Sequence, residues 1–241
     1  MKTVAPDYYK DFHCIADKCA HTCCKGWEID VDEISAARFS KIPAIAEKVD
    51  SAAETPHIKL LDDETCPFLL ESGLCSMIID YGEDMLCDIC RDHPRFRNFW
   101  SDRTEIGLGM VCEEAAGLIL SQKTPMKLVT LYDDGGDEKM SSDEEWLTSY
   151  ISELLNEVTE TGPSARLLEY LIYRHMPDAL YDDMLTERLA FIRSSHKKII
   201  SDWQKTDGSI ASLAEICRRF SYDVEYDDDV LKEMIENSAN A

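Results

Sequence analysis

The stretch LTERLAFIRSSHKKIISDW, residues 185–203, decides the predicted fold because its apolar residues recur at helical spacing. Its stripe consists of Leu185, Leu189, Ile192, Ile199 and Trp203, which follow one another at steps of three, four or seven residues. Such steps bring side chains to one face of an α-helix, which must be buried against another element. The stretch is therefore predicted to be a long amphipathic helix.

The same periodicity extends over most of the second half of the chain. One stripe consists of Trp146, Tyr150, Ile151, Leu154, Leu155 and Val158, and a second of Leu167, Leu168, Leu171 and Ile172. Shorter amphipathic segments follow at 210–220 and 230–235. We interpret these stripes as the core of an α-helical bundle, and Cys217 within one of them as a small buried hydrophobe.

The first half has little regular periodicity. A short helix is predicted from Asp32 to Phe39, capped by Asp30 or Asp32. Loose alternation at 96–110, around a turn at 101–103, indicates a β-hairpin. A helix at 113–121 and a strand at 126–131 are also predicted. The predicted fold class is mainly α: an irregular cysteine-rich N-terminal half with a small β-hairpin, followed by an α-helical bundle.

The cysteines and one acidic loop suggest how the chain is divided. Nine of the ten cysteines precede residue 113. The run Asp133-Asp134-Gly135-Gly136-Asp137 has the composition of a flexible loop. We therefore predict a cysteine-rich region at 1–122, a linker at 123–142 and a helical region at 143–241.

Composition narrows the class of protein. The chain has 48 acidic and 25 basic residues, a net charge of -23, so its surface repels phosphate backbones and a nucleic-acid partner is not expected. A basic or lysine-bearing partner would suit it, although an acidic surface can simply be solvated. No run approaches the ~18 apolar residues of a membrane span, and Met1–Lys10 does not resemble a signal peptide. We expect a cytoplasmic protein with no membrane association.

In a reducing cytosol, clustered cysteines are more often metal ligands than disulfides. The candidate metal ligands are Cys14, Cys19, Cys23, Cys24, Cys66, Cys75, Cys87, Cys90 and Cys112. A metal also removes the repulsion among crowded thiolates. The neighbouring side chains of Cys23 and Cys24 diverge, so they would occupy different ligand positions or only one would bind. Five disulfides are the alternative.

The spacing of the cysteines is compatible with more than one kind of metal centre. Cys87-x2-Cys90 is a good half-site for zinc, and Cys19 with Cys23 could complete it. His13, His21 and His93 could substitute as ligands. More sulfurs than one zinc ion needs, irregularly spaced over about 100 residues, favour an iron–sulfur cluster of the 4Fe–4S type. The remaining cysteines could support the site, form a second site or be redox-active. A further alternative is a thiol oxidoreductase that uses Cys87 and Cys90, but these two cysteines lack the βαβ context usual in such enzymes.

A small basic island lies beside the Cys87-x2-Cys90 pair. Arg91, His93 and Arg95, followed by Arg97, stand out in an acidic protein. They could offset the charge of a cluster or bind an anionic cosubstrate through its carboxylate. They could equally form surface salt bridges with the many acids.

Several motifs resemble one known family. They are Tyr8-Tyr9-Lys10-Asp11-Phe12-His13-Cys14-Ile15, Cys19, Thr22-Cys23-Cys24, Gly26-Trp27, Ile29-Asp30, Cys66-Pro67-Phe68-Leu69, Gly73-Leu74-Cys75, Cys90, Pro94-Arg95 and Cys112-Glu113. In this order they resemble the N-terminal signature of the flagellin lysine-N-methylase (FliB) family, within a broader cysteine-rich group described as zinc- or iron-chelating. The resemblance covers about residues 8 to 120.

The resemblance implies an iron–sulfur protein that uses S-adenosylmethionine to methylate lysine side chains of flagellin or another lysine-bearing protein. The residues themselves show no glycine-rich loop typical of a cosubstrate site, so this activity rests on the resemblance. Glu113 and Glu114 are the first candidates for the base that deprotonates the lysine. The alternative function is a non-catalytic zinc- or iron–sulfur-binding module with a structural or sensing role.

Overall fold

The structure, a computed structural model, describes residues 1–136 and 138–238 and confirms a mainly α protein. Its contacts divide the chain into two compact units. We call Met1–His13 with Pro94–Ala241 the helical unit, and Cys14–His93 the cysteine-rich unit. Within the described ranges, no helix is both long and apolar enough to cross a membrane.

These units differ from the predicted regions 1–122, 123–142 and 143–241 because the N-terminus is a strand in the middle of a sheet. Strand β1, Lys2–Pro6, pairs in parallel with β5, Arg103–Leu108, and antiparallel with β6, Leu128–Asp133. The predicted linker therefore contains a strand of the sheet. Of the predicted acidic loop, Asp133 ends β6, and Asp137 lies outside the described residues.

The predicted hairpin is confirmed. Strand β4, Arg95–Phe99, pairs antiparallel with β5, and the sheet has the order β4-β5-β1-β6. The turn at 101–103 connects the two hairpin strands as predicted. Phe96 lies directly opposite Gly107 on the neighbouring strand. Its ring packs near Tyr170 and Tyr173, which joins the sheet to a helix behind it.

The structure has a helix at each predicted helical segment from residue 113 onwards, and one short α-helix, Ala179–Asp182, that was not predicted. They are α5 Glu113–Leu120, α6 Ser142–Glu157, α7 Pro163–His175, α8 Ala179–Asp182, α9 Leu185–Trp203, α10 Ile210–Phe220 and α11 Asp228–Ser238. Ser141 and Glu144 form a reciprocal capping box at the start of α6, and Ser209 caps α10. Side-chain acceptors at these positions satisfy amides that the helix leaves without a partner.

The core of the helical unit lies around α7. Leu167 and Leu171 on α7, Phe191 on α9 and Leu213 on α10 are at most 1% exposed. Each fully buried side chain of this size contributes about 1.5–3 kcal/mol of transfer free energy. Cys217 is 1% exposed in the same core, which confirms its prediction as a small buried hydrophobe.

Two glycines of the helical unit test this packing. A methyl group added at Gly107 would overlap the Phe96 ring, whereas one added at Gly117 in α5 meets no atom within 4 Å. We expect Gly107→Ala to lower the free energy of unfolding by about 1–3 kcal/mol through overpacking. Gly117→Ala should raise it by about 0.5–1 kcal/mol, because alanine loses less backbone entropy in a helix. Chemical denaturation measures both, and equal effects would contradict the packing described.

The cysteine-rich unit is built from short elements. They are α1 Glu33–Phe39, α2 Pro43–Ala46, β2 Val49–Asp50, β3 His57–Ile58, α3 Ser76–Tyr81 and α4 Asp88–Asp92. The predicted first helix is confirmed with Asp32 as its cap, and the side chain of Asp32 accepts the amide of Ser35 at 2.8 Å. Long connections between these elements leave this unit with a small apolar core, in which Phe39 and Ile45 are 1% exposed.

Candidate metal centre

Five cysteines gather in the core of the cysteine-rich unit. They are Cys24, Cys66, Cys75, Cys87 and Cys90. Cys66 and Cys87 are buried, and the other three are half-buried against the same apolar residues. Sequence positions as far apart as 24 and 90 therefore contribute thiols to one core. All five are free thiols.

Backbone hydrogen bonds bring these segments together. The amide of Cys66 donates to the carbonyl of Cys24 at 2.8 Å, which joins the first two segments. The amide of Ser76 donates to the carbonyl of Phe68 at 2.8 Å, so the chain turns back between Cys66 and Cys75. Asp32 then links α1 to α4, because its second carboxylate oxygen accepts the amide of Asp88 at 2.9 Å.

Two of the five cysteines precede short helices. Cys75 is the residue before α3, and Cys87 is the residue before α4. Burial raises the pKa of the Cys75 thiol. The amides of Ile78 and Met77 face its sulfur and partly offset that rise. They do not form a full capping hydrogen bond. Amides at a helix start stabilise a thiolate over a thiol, which is useful in a metal ligand.

Hydrogen bonds between paired thiols shift their pKa values. A hydrogen bond from Cys90 lowers the pKa of Cys87 to about 7, and the same bond raises the pKa of Cys90. A hydrogen bond from Cys23 likewise lowers the pKa of Cys24 to about 7. Burial raises the pKa of Cys66 to about 11, so this thiol stays protonated at neutral pH. Ionising all five together would place several negative charges in an apolar core.

The chemistry of this donor set fits zinc or an iron–sulfur cluster. Thiolates are preferred ligands of both, and a bound metal would remove the repulsion that otherwise keeps these groups protonated. Among the described residues, no three His, Cys, Asp or Glu side chains are already arranged to hold a metal ion. Binding would therefore require the paired sulfurs to release their protons and turn towards a common centre.

The other predicted ligands lie outside this core. Cys14 is exposed, and its sulfur accepts the amide of Ala16 at 3.4 Å. Cys19 is half-buried, and its thiol donates to the carbonyl of His21 at 3.1 Å. Cys23 is exposed beside Cys24, and Cys112 belongs to the helical unit, where it precedes α5. The ligand roles of these four residues stay predictions.

The basic island is divided between the units. Arg91 donates to the carbonyl of Leu86 at 2.6 Å, and the rings of His93 and Trp27 meet edge to face at 5.2 Å, both within the cysteine-rich unit. Arg95 belongs to the helical unit, where it donates to the hydroxyl of Tyr9 at 2.8 Å. An anion site formed by Arg91, His93 and Arg95 stays a prediction.

Sequence analysis missed a buried carboxylate in the helical unit. Glu225 is 5% exposed and ends a π-helical turn, Ser221–Glu225, that follows α10. Its carboxylate accepts hydrogen bonds from Tyr170 at 2.7 Å, His175 at 2.8 Å and Ser221 at 2.5 Å. Glu225 lies among the exposed acids 223–229, so the sequence carries no signal that distinguishes it.

A cation compensates this buried charge. The Nε atom of Arg174 lies 3.3 Å from the Glu225 carboxylate. Burial alone would raise the pKa of Glu225, but Arg174 and the hydrogen bond from His175 lower it to about 2. Burial lowers the pKa of His175, so the neutral ring donates from Nε2 to the carboxylate. The network joins α7 to the turn after α10.

Comparison with known proteins finds distant relatives for half of the chain. A lysine-N-methylase from Salmonella choleraesuis (strain SC-B67) is 27% identical over 140 residues, and the match covers 51% of this chain and 33% of that protein. A lysine-N-methylase from Salmonella typhimurium is 26% identical over 140 residues with the same coverage, 51% and 33%. The flagellar biosynthetic protein FliU from Salmonella muenchen is 26% identical over 134 residues, which cover 51% of this chain and 79% of that protein.

No family model matches the chain, and no solved structure matches it. The match spans about a third of the length of each lysine-N-methylase, 33% in both. The chain is thus similar to part of these proteins, at a level that indicates distant relationship.

Proposed function

We propose that this chain is a protein lysine N-methyltransferase that uses S-adenosylmethionine and carries a thiolate-bound metal centre. The observation that supports the activity is the similarity to two proteins named lysine-N-methylase, over 140 residues in each. The gathering of five thiols in one core supports the metal centre. Flagellin is the proposed substrate, because the matched FliU protein is named as a flagellar biosynthetic protein.

The proposed ligands are chosen from the five core thiols. Cys87 and Cys90 form one pair, and Cys66 with one of Cys24 and Cys75 supplies the remaining two of four positions. Our first choice is a 4Fe–4S cluster, which would supply one-electron transfer. The alternative is zinc, which would supply positive charge and link the segments that carry its ligands. In either case the thiols release protons, so metal affinity should fall as the pH is lowered.

Methyl transfer needs a neutral amine. The lysine ε-nitrogen attacks the methyl carbon of the sulfonium, a nitrogen–carbon bond forms, the sulfur–carbon bond breaks and S-adenosylhomocysteine leaves. The amine proton passes to a base. Glu113 and Glu114, half-buried in the first turn of α5, are the proposed candidates for this base. Arg91, His93 and Arg95 are the proposed groups for the cosubstrate carboxylate.

We expect anaerobically purified protein, mixed with S-adenosylmethionine and flagellin, to produce methyl-lysine and one S-adenosylhomocysteine per methyl group. Mass spectrometry detects the first product and chromatography the second. If Glu113 or Glu114 is the base, its replacement by glutamine should lower the turnover number about 100-fold or more, the usual contribution of a positioned base.

Glu233→Gln, an exposed acid on α11, is the matched control and should leave the rate unchanged. Protein that contains its metal and binds S-adenosylmethionine, but methylates neither flagellin nor other lysine-bearing proteins, would contradict the proposed activity. Such a result would leave the metal centre in place.

A non-catalytic metal-binding module is the second candidate, favoured by the place of the thiols in the structure. Cys66 and Cys87 form part of the small core of the cysteine-rich unit, as a structural metal site would require. Calorimetry separates the two functions. A structural module would lose its folded cysteine-rich unit on chelation and would bind no S-adenosylmethionine.

A further inference from the structure

The exposed face of α6 combines aromatic and acidic side chains. Trp146, predicted to lie in the core of the bundle, is instead 57% exposed. Its ring stacks on that of Tyr150, which is half-buried against the core, with centroids 5.5 Å apart and planes at 11°. Glu153 and Glu157 follow at steps of three and four residues, so that all four side chains share one face of the helix. Leu147 and Ile151, on another face, are buried in the core.

The charged side chains of α6 are all acidic. The 16 residues of α6, Ser142–Glu157, include no lysine or arginine, and its exposed acids are Asp143, Glu145, Glu153 and Glu157. Aromatic faces and carboxylates together attract cations, the first through the ring quadrupole and the second through charge.

The same face leads to a cavity at the C-terminal end of α6. The cavity has a volume of about 180 Å³ and is lined by Glu157, Val158, Glu160, Ser164, Leu168 and His196, among others. One water molecule needs only about 10–15 Å³ by this measure, so the cavity has room for the four-carbon stem and ammonium of a lysine.

The lining of the cavity suits such a side chain. Val158 and Leu168 offer apolar surface to the stem, and Glu157 and Glu160 offer carboxylates to the ammonium. The end of α6 adds a partial negative charge and the start of α7, at Ser164 and Ala165, adds a partial positive one, so the two carboxylates decide the charge of the lining. Ser164 and His196, hydrogen-bonded at 3.1 Å, belong to the same lining.

We propose that the exposed face of α6 and the cavity at its end bind a lysine-rich segment of another protein, with one lysine side chain in the cavity. The inference rests on the proposed function and deepens it, since it places the docking of a protein substrate. Helix α6, with 16 residues, is about 24 Å long, which an extended peptide of about eight residues would span.

The test is direct binding of a synthetic peptide to the full chain, without methyl transfer. The probe is a capped, eight-residue peptide of alternating lysine and glycine, which is about as long as α6 when extended. It is titrated by calorimetry at about 0.02 M and about 0.3 M salt. We expect binding that weakens with salt and that a peptide with glutamate in place of lysine lacks.

Two variant pairs locate the site. The double variant Trp146→Ala/Tyr150→Ala should weaken binding about tenfold through the loss of two cation–π contacts. Glu157→Gln/Glu160→Gln should weaken binding and reduce its salt dependence. Tyr132→Ala, an aromatic exposed elsewhere, and Asp229→Asn/Glu233→Gln, two exposed acids on α11, are the matched controls and should bind as the wild type.

A peptide with diaminopropionic acid in place of lysine keeps the charge and removes most of the stem. We expect it to bind more weakly than the lysine peptide, because the cavity and rings contact the stem. Equal affinity of the two peptides, or equal loss in the control variants, would overturn the proposal and leave a solvated acidic surface. Because no methylation is measured, lysine-peptide binding and flagellin methylation can fail independently.

Discussion

Replacing Glu225 with alanine is expected to lower the free energy of unfolding by about 3–5 kcal/mol, the usual cost of removing one partner from a buried charge network. The carboxylate neutralises Arg174 and accepts hydrogen bonds from Tyr170 and His175. Without it, the buried guanidinium of Arg174 loses its counter-charge, and the donors of Tyr170 and His175 lose this acceptor. Chemical denaturation followed by circular dichroism measures the change.

Asp202→Ala is the matched control for Glu225→Ala. Asp202 also pairs with two cations, Lys198 and Lys205, but its side chain is 31% exposed. We expect this substitution to cost less than about 1 kcal/mol, as exposed ion pairs do. Similar costs for the two substitutions would show that the Glu225 network contributes little to stability.

The same network predicts acid sensitivity. The pKa of Glu225 is lowered from its ordinary value of 4.5 to about 2, so its contribution is complete above about pH 4.5 and is lost as the pH falls towards 2. The pKa of His175 is lowered from 6.5, so its neutral form also favours the folded state above that pH. Stability should therefore fall as the pH drops below about 6.5, and in Glu225→Gln the part of the loss that falls between about pH 4.5 and 2 should be absent, as denaturation followed over this pH range would show.

Replacing Cys66 or Cys87 with alanine is expected to remove most of the bound metal from the protein. Both thiols are buried in the core of the cysteine-rich unit, so a water molecule would have to enter this apolar core to take the place of either sulfur. Loss of a single outer partner of a ligand already costs about 10- to 100-fold in affinity, so loss of a ligand itself should cost more. Cys217→Ala, in the helical unit, should retain the wild-type metal content.

Elemental analysis of the three variants, purified together without oxygen, measures this effect. Hydrogen exchange adds a second observable: amides within 14–93 should exchange faster in Cys66→Ala and Cys87→Ala than in the wild type. If Cys66→Ala and Cys87→Ala contain as much metal as Cys217→Ala and the wild type, the assignment of these thiols as ligands is contradicted.

The helices could be predicted because their information is local. The stripe from Leu185 to Trp203 has enough turns to define its period, and α9 has these bounds. The cap at Asp32 and the turn at 101–103 are also short-range signals, and both are confirmed. Local patterns thus sufficed for the elements and for the mainly α class.

Non-local pairing was beyond the sequence. The predicted regions assigned the N-terminus to the cysteine-rich region, whereas β1 lies between β5 and β6 in the sheet of the helical unit. No periodicity within Lys2–Pro6 indicates its partners, because strand pairing depends on distant residues. Spacing likewise named nine cysteines as ligands and could not separate the five of one core from the other four.

The measurement that decides whether this chain is a metalloprotein is a count of iron, sulfide and zinc per chain after anaerobic purification, together with an absorption spectrum. We predict a brown protein with about four irons and four sulfides. A colourless protein with about one zinc would contradict the cluster and support the zinc alternative. Metal-free, folded protein in which a thiol reagent modifies the five core cysteines on unfolding would contradict the proposed centre.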